Sequence, residues 1–431
     1  MNDWSQLPQE LIVLIAKRLE ARFDVIRFRS VCSSWRSSVP PKVVPFPIFL
    51  PPITQESQVR VIRNTFYLIR LSLGNQTQIP TCWLVRTRDG DDGVKMRLLN
   101  PLSDSELPHL PDNLPKVLDL TNFQVLELGH EYIGEYNAYF NHPIEPRYLD
   151  FRKKIVLLRA SADSNDSMMI AYSSRSPGFL RSGEKEWTVL ENVKGIEDIV
   201  SFNGKFYAID KEGTTMVIDE SLNVSFLGRV SSCSGYRPDR SQVSKVLVKS
   251  GDQLLAVEKL CNPYTGSPST LGSSIRFRVF SMNEEEQKWD EIESLGGRIL
   301  FLSNRQAISA PCWGRGDLIF CSNHLCTGRD YTFVFDLETG AASLLENWPA
   351  YCNLFWPPPQ WVTSLESVIS STEVLTNSTH SVTYATPETE YDGSESDLAI
   401  SSTANLPGRV TSAGKEVGTP SSKCSFKFCC F

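Results

Sequence analysis

The sequence predicts a multidomain α+β chain: a small three-helix unit, an all-β propeller-like domain of five or six blades, and a disordered tail. Three observations predict this. Apolar residues step by three and four through the first forty positions. Short apolar or alternating runs closed by Gly, Asn, Asp or Pro then recur from about Cys82 to Trp361. After Val362 no periodicity survives. The expected boundaries are 1–40 for the helices, 41–54 for a Pro-rich linker, 55–361 for the strands and 362–431 for the tail.

The helices come first. Pro8 suits a first helical position, because its missing N–H is not needed there and its φ is already helical. Leu11, Ile12, Leu14, Ile15 and Leu19 form an apolar stripe wider than one small core needs. Asp24 is placed to cap a second helix with an apolar face of Val25, Phe28, Val31 and Cys32. Trp35 follows near its end, and Pro40-Pro41 stops helical structure. A segment of this size buries too little surface to be stable unaided, so an apolar face left exposed implies a docking partner.

Leu7-Pro8-Gln9-Glu10-Leu11-Ile12, the spaced Ile15 and Leu19, and Val31-Cys32-Ser33-Ser34-Trp35-Arg36 together resemble an F-box. The resemblance covers residues 4–40. Val25 is a departure, since the family more often has Leu there, and the change in volume is small. The resemblance implies that these helices pack onto a Skp-type adaptor, and through it onto a cullin scaffold. The adaptor-binding residues it implies are Leu7, Pro8, Leu11, Ile12, Ile15, Leu19, Phe28, Val31, Cys32 and Trp35.

In the strand region the clearest hairpin runs from Ile199 to Asp210, with Asn203-Gly204 as the two positive-φ residues of a type I′ turn. Thr214–Asp219 reads as the next strand. Further strands are expected at Cys82–Val85, Met96–Leu99, Ile275–Phe280, Lys288–Ile292, Gly316–Cys321, Tyr331–Asp336 and Ala342–Leu345. Such units return at roughly 40–55 residues, the range of propeller blades, and ~280 residues is long for one sandwich. The grammar resembles degenerate kelch-like blades, without the double glycine of that repeat. The polar connections Asp89–Gly93, Cys233–Arg240, Cys261–Gly272 and Asn323–Asp330 are expected to face outward and are candidates for holding a target.

The order of features, from the F-box through Leu98-Leu99-Asn100-Pro101-Leu102 and the Asn203-Gly204 hairpin to Trp356-Pro357, resembles plant F-box proteins with a C-terminal propeller-like domain. This resemblance spans residues 4–361. It implies that the downstream domain chooses the target. The tail departs from that family, whose members usually end near the position of Trp361. About a third of residues 363–425 are Ser or Thr, a composition that cannot offset the entropy of ordering it. Thr386–Asp397 is acidic and resembles a PEST-type turnover signal, although a solvated linker is the simpler reading. At the terminus Phe428 stands where a prenylation box needs Cys, and palmitoylation of Cys429 and Cys430 would need independent support.

Composition narrows the function classes. The 431 residues are 41% apolar with a net charge of −7 and no basic face, which argues against nucleic acid or an anionic membrane as partner. Met1–Trp4 lacks the positive start of a signal peptide, and no apolar run approaches the roughly 20 residues of a membrane span. Eleven scattered cysteines without a secretory context are expected as free thiols. In that context Asn75 and Asn377 carry no meaning as glycosylation acceptors.

No nucleotide loop, no nucleophile elbow and no assembled acid–base pair is present, so no catalytic residue, cofactor or metal is assigned. Cys321, His324 and Cys326 with Cys312 have donors that suit Zn²⁺, but their spacing matches no common finger, and Cys321 continues an apolar strand. Asp89, Asp91 and Asp92 read as a solvated turn. The expected function is a non-catalytic substrate-recognition subunit of an SCF-type (Skp–cullin–F-box) ubiquitin ligase in the nucleus or cytoplasm. It would recruit an unidentified protein target for ubiquitination and proteasomal degradation. Two alternatives stand beside it: an F-box scaffold outside ubiquitin ligases, for example in transcriptional regulation, and an enzyme built on a propeller.

Overall fold

The computed structural model describes residues 7–19, 22–39, 48–51, 59–71, 82–89, 96–103, 107, 117–119, 123–136, 153–159, 167–171, 177–230, 242–262, 267–303, 306–312, 314–324, 330–363 and 427–429. Three helices come first: Gln9–Lys17 (α1), Arg22–Ser30 (α2) and Ser33–Ser38 (α3). Pro8 sits one residue earlier than expected. It is the N-cap of α1, and its extended ψ frees its carbonyl to accept from the amides of Leu11 and Ile12, both at 3.1 Å. Asp24 does not cap α2 but lies in its first turn, paired with Arg27 at 3.1 Å. A carboxylate is also favoured there by the helix dipole, so the helix can begin at Arg22. Cys32 is the extended N-cap of α3, which ends the apolar face of α2. Only Val25 and Phe28 of that expected face turn fully inward; Val31 is exposed and Cys32 half-buried.

The strands fall, among the described residues, into five blades around a ring. From inside to outside, blade 1 is Phe123–Tyr136, Val59–Leu71, Cys82–Asp89 and Met96–Leu99. Blade 2 is Lys153–Arg159, Ser167–Ala171, Gly178–Arg181 and Thr188–Val189. Blade 3 is Ile196–Phe202, Lys205–Asp210, Thr214–Ile218 and Val224–Arg229, and blade 4 is Gln242–Ser250, Gln253–Cys261, Arg276–Asn283 and Lys288–Ile292. Blade 5 has Ala307–Pro311 innermost, then Arg298–Leu302, Leu318–His324, Asp330–Asp336 and Ala341–Leu344, with one parallel pairing between Arg298–Leu302 and Leu318–His324.

The ring closes through the inner strands. That of blade 3 packs on those of blades 2 and 4, that of blade 4 on blade 5, and that of blade 5 on blade 1. Blades 1 and 2 go further. Their inner strands hydrogen-bond, with Tyr132 opposite Ile155, and merge into one nine-stranded sheet. Each seam between neighbouring blades holds its own apolar core. Between blades 2 and 3, for instance, Ile170 and Phe179 meet Ile199 and Phe206, the two rings edge to face at 6.2 Å. Because a strand packs on a blade at either face, its apolar residues run on rather than alternate.

The hairpin between the first two strands of blade 3 matches its expectation. Asn203 and Gly204 have φ of 44° and 74°, and Phe202 pairs with Lys205 across them. Three expectations need correction. The segment 41–54 is not wholly linker, because Ile48–Leu50 pairs with Val59–Val61, and the Pro51 carbonyl accepts from the Trp187 indole at 2.9 Å. A short edge strand between prolines loses no needed donor. The connection Cys261–Gly272 does not simply face outward. Pro268–Ser274 (α4) is a helix capped by Ser267, and it buries Leu271 between blades 4 and 5 against a ring that includes Phe333. The tail expected from residue 362 starts later, since Gln360–Thr363 (α5) is helical and Val362 is buried.

Residues 364–426, with the PEST-like stretch, lie outside the described residues, while Lys427–Cys429 pairs in parallel with Val117–Asp119. The connections 90–93, 233–240 and 325–329, the acceptor sites at Asn75 and Asn377, and Cys326 also lie outside them.

Candidate functional site

α1 carries two apolar faces. Ile12 and Ala16, one helical step of four apart, turn inward and form a small core with Val25, Phe28 and Val39, against which Leu7, Leu19 and Trp35 pack. Leu11, Leu14 and Ile15 stand about 120° away around the helix axis. They are 46%, 57% and 42% exposed, and Val31 at the end of α2 is 53% exposed. A globular surface scatters such residues singly; four of them on thirty residues of chain mark a contact surface.

The helices are locked in place by charge-assisted bonds to backbone. The Arg29 guanidinium donates to the carbonyls of Arg36, at 2.9 Å, and of Val39, and Arg36 Nε donates back to the Arg29 carbonyl at 3.2 Å. Phe28 and Trp35 close the gap between α2 and α3 with ring centroids 4.4 Å apart. Arg27 Nη2 reaches the Val125 carbonyl on the inner strand of blade 1 at 3.4 Å, so the face is tied to the ring behind it.

The ten adaptor residues expected from sequence therefore divide. Pro8, Leu11, Ile15 and Val31 are exposed, whereas Ile12 and Phe28 are buried in the small core and support the face rather than form it. Leu7, Leu19, Cys32 and Trp35 are half-buried at its margin. Leu14 was not among the ten, although its spacing of three from Leu11 was the available signal.

The ring supplies polar clamps as well as apolar seams. Asp198, on the inner strand of blade 3, accepts from Lys154 Nζ of blade 2 at 2.6 Å, from its neighbour Ile199 N at 2.9 Å and from Leu247 N of blade 4 at 2.9 Å. Further out, Trp289 of blade 4 donates to Thr215 Oγ1 of blade 3 at 2.8 Å. Tyr207 donates to Glu284 at 3.2 Å, and burial with that carboxylate pushes the phenol up to about 12. In blade 1, Arg86 and Glu131 form a fully buried pair at 2.5 Å. Val224 and Phe226, two apart and so on one face of the outer strand of blade 3, are both exposed.

None of the expected chemical clusters assembles a reactive site. Asp89 belongs to a strand and bonds Arg63 Nε at 2.8 Å. Cys321 is wholly buried in the seam between blades 4 and 5, where burial pushes its thiol up. Cys82 is likewise pushed up to about 11 by burial. Among the described residues no group of three His, Cys, Asp or Glu could hold a metal ion, and no helix is long and apolar enough to cross a membrane.

Comparison with known proteins agrees with this division. The F-box-like family matches residues 4–40, and the KIB1-4 beta-propeller family matches residues 59–336. The chain is 30% identical over 404 residues to F-box protein SKIP23 of Arabidopsis thaliana, covering 84% of this chain and 96% of that protein. It is 33% identical over 408 residues to the Arabidopsis F-box protein At2g17036, covering 85% and 97%. To the Arabidopsis F-box/kelch-repeat protein At1g64840 it is 28% identical over 328 residues, covering 70% and 78%. A helical unit with an outward apolar face, a closed ring of blades and relatives matched almost end to end have one reading: this chain belongs to the F-box proteins that carry a KIB1-4 β-propeller.

Proposed function

We propose that the chain is the substrate-recognition subunit of an SCF-type ubiquitin ligase. Its N-terminal face docks a Skp-type adaptor and, through it, a cullin scaffold. The propeller holds a protein target for ubiquitination and proteasomal degradation. The observation that carries this reading is the exposed face of Leu11, Leu14, Ile15 and Val31 above a core of its own. Side chains of that size gain about 1.5–3 kcal/mol each when fully buried, enough to make a few of them the anchors of an interface.

In this role the chain performs no bond chemistry. It raises the effective concentration of a target lysine near the charged conjugating enzyme. The arginine tie to blade 1 supports that role, because a receptor must hold its target at a set distance from the adaptor. We place the protein in the nucleus or cytoplasm, a reading supported by the free thiols of its described cysteines. Co-precipitation of a Skp-type adaptor with the full chain and with a Leu11→Asp/Ile15→Asp variant tests the proposal. Capture by the wild type and loss by the variant, with an unchanged circular dichroism spectrum, supports it. Equal capture by both rejects it.

A further inference from the structure

The five inner strands enclose a central channel of about 810 Å³, lined from every blade. That is within the range of small-molecule sites, roughly 300–1,000 Å³. Its charges do not cancel. Glu131 is neutralised by Arg86, Lys154 lies against Asp198 at 2.6 Å, and Glu127 pairs with His130 at 3.0 Å. Two cations lining the channel remain, Lys249 of blade 4 and Arg298 of blade 5, and among the described residues neither has a carboxylate partner.

Arg298 is held in place. Its Nε donates to Ser250 Oγ at 3.1 Å and to Ser309 Oγ at 2.8 Å, and those two hydroxyls bond each other at 2.8 Å across the seam of blades 4 and 5. This uses one edge of the guanidinium and leaves its terminal amines without a protein acceptor among the described residues. Burial already lowers its pKa from the ordinary value, the mark of a cation set in a poorly solvated place without a counter-charge. Lys249 stands next to Ser250 in sequence, and its exposed ammonium lies at the channel beside this fixed guanidinium.

A fixed planar fork beside a mobile point charge matches a tetrahedral dianion better than a single carboxylate. The fork can give two parallel hydrogen bonds while the ammonium neutralises a third oxygen. The volume exceeds what one phosphate fills, leaving space for the body that carries it. We propose that the central channel binds a small phosphate-bearing ligand, with its oxyanion held by Arg298 and Lys249 at the seam of blades 4 and 5. This site lies apart from the adaptor face and does not depend on the ubiquitin-ligase reading.

The test is isothermal titration of the full chain with sodium pyrophosphate at constant ionic strength. The variants are Arg298→Gln, Lys249→Gln and the exposed control Lys205→Gln. The expected result is saturable one-site binding, weakened about tenfold in Arg298→Gln and about fivefold in Lys249→Gln, and unchanged in the control. Should Arg298→Gln fail to fold because its serine bridge is lost, Lys249→Gln decides alone, since that side chain has no structural partner among the described residues. No saturable binding by the wild type, or equal weakening in Lys205→Gln, overturns the proposal. Displacement of pyrophosphate by succinate at equal concentration overturns the phosphate class.

Discussion

Around α1, four large apolar side chains face outward over a core of five buried residues, Ile12, Ala16, Val25, Phe28 and Val39. At the seam of blades 2 and 3, eleven buried residues from both sheets face each other, and the polar groups beside them are paired. The helical unit is thus unfinished as a folded object, while the ring is closed and internally satisfied. Both regions are rich in aliphatic residues. What separates them is whether each apolar face has a partner within the chain. An unpartnered face is stable as an interface only when something else covers it, which is the physical content of an adaptor-binding module.

The comparison can be broken most strongly in the ring. Phe206 is wholly buried against Phe179, so Phe206→Ala should cost about 3–5 kcal/mol in stability. Denaturant unfolding checks this, and an effect under about 1 kcal/mol would mean that the seam is not a packed core. The blade clamp is next. Asp198→Ala strands the buried Lys154 and two backbone amides, an expected loss of about 3–5 kcal/mol. Combining it with Lys154→Met should recover part of that loss in a double-mutant cycle, because the stranded charge is removed. Simple additivity would show that the pair does not interact.

At the helical face the two readouts should separate. Leu14→Ala should change stability of the free chain by less than about 0.5 kcal/mol and weaken adaptor binding by about 1–2 kcal/mol. A thermal scan beside a binding titration measures both, and a stability loss without a binding loss would assign Leu14 to the core. The smallest effect is a surface ion pair. The Arg278 guanidinium holds the Glu291 carboxyl below its ordinary 4.5 through a hydrogen bond, its Nε 2.7 Å from Oε1. A depressed carboxyl stabilises fully above its unfolded pKa and loses that contribution as pH falls through the folded value. Glu291→Gln should therefore narrow the stability difference from wild type below about pH 4.5. The gap at neutral pH should stay under about 1 kcal/mol because water screens the pair.

Local chemistry was legible where one short segment carries its own instruction. Asn203-Gly204 accepts positive φ at both positions, so the hairpin of blade 3 follows from two residues and their flanks. The strands Lys288–Ile292 and Met96–Leu99 were readable for the same reason: a bounded apolar run between polar turns. Legibility failed where pairing is distant. In blades 2, 3 and 4 the innermost strand is the first in the chain, but in blade 1 it is the last, Phe123–Tyr136 returning beside Val59–Leu71. Nothing within either segment encodes that return, because the partner lies some sixty residues away. α4 was hidden by its brevity, since one turn capped by Ser267 looks like a polar loop until Leu271 finds the seam of blades 4 and 5.

The adaptor face shows the same limit in one helix. Leu-Pro-x-Glu-Leu-Ile and Val-Cys-x-x-Trp-Arg identified the module, and the spacing of Leu11, Ile12, Leu14 and Ile15 announced more apolar surface than a small core uses. Spacing alone cannot say that Ile12 goes in and Leu14 goes out, for both lie on apolar positions of one helix. By itself, then, the sequence determined which segments are helix and strand, that the chain joins a small helical unit to a β-rich domain, and the family of the first. Tertiary structure alone decided the number of blades, the residues left facing outward, and the two cations brought together in the central channel from positions 249 and 298. Propensity and periodicity act over a few residues, whereas burial and charge pairing depend on what the rest of the chain places opposite.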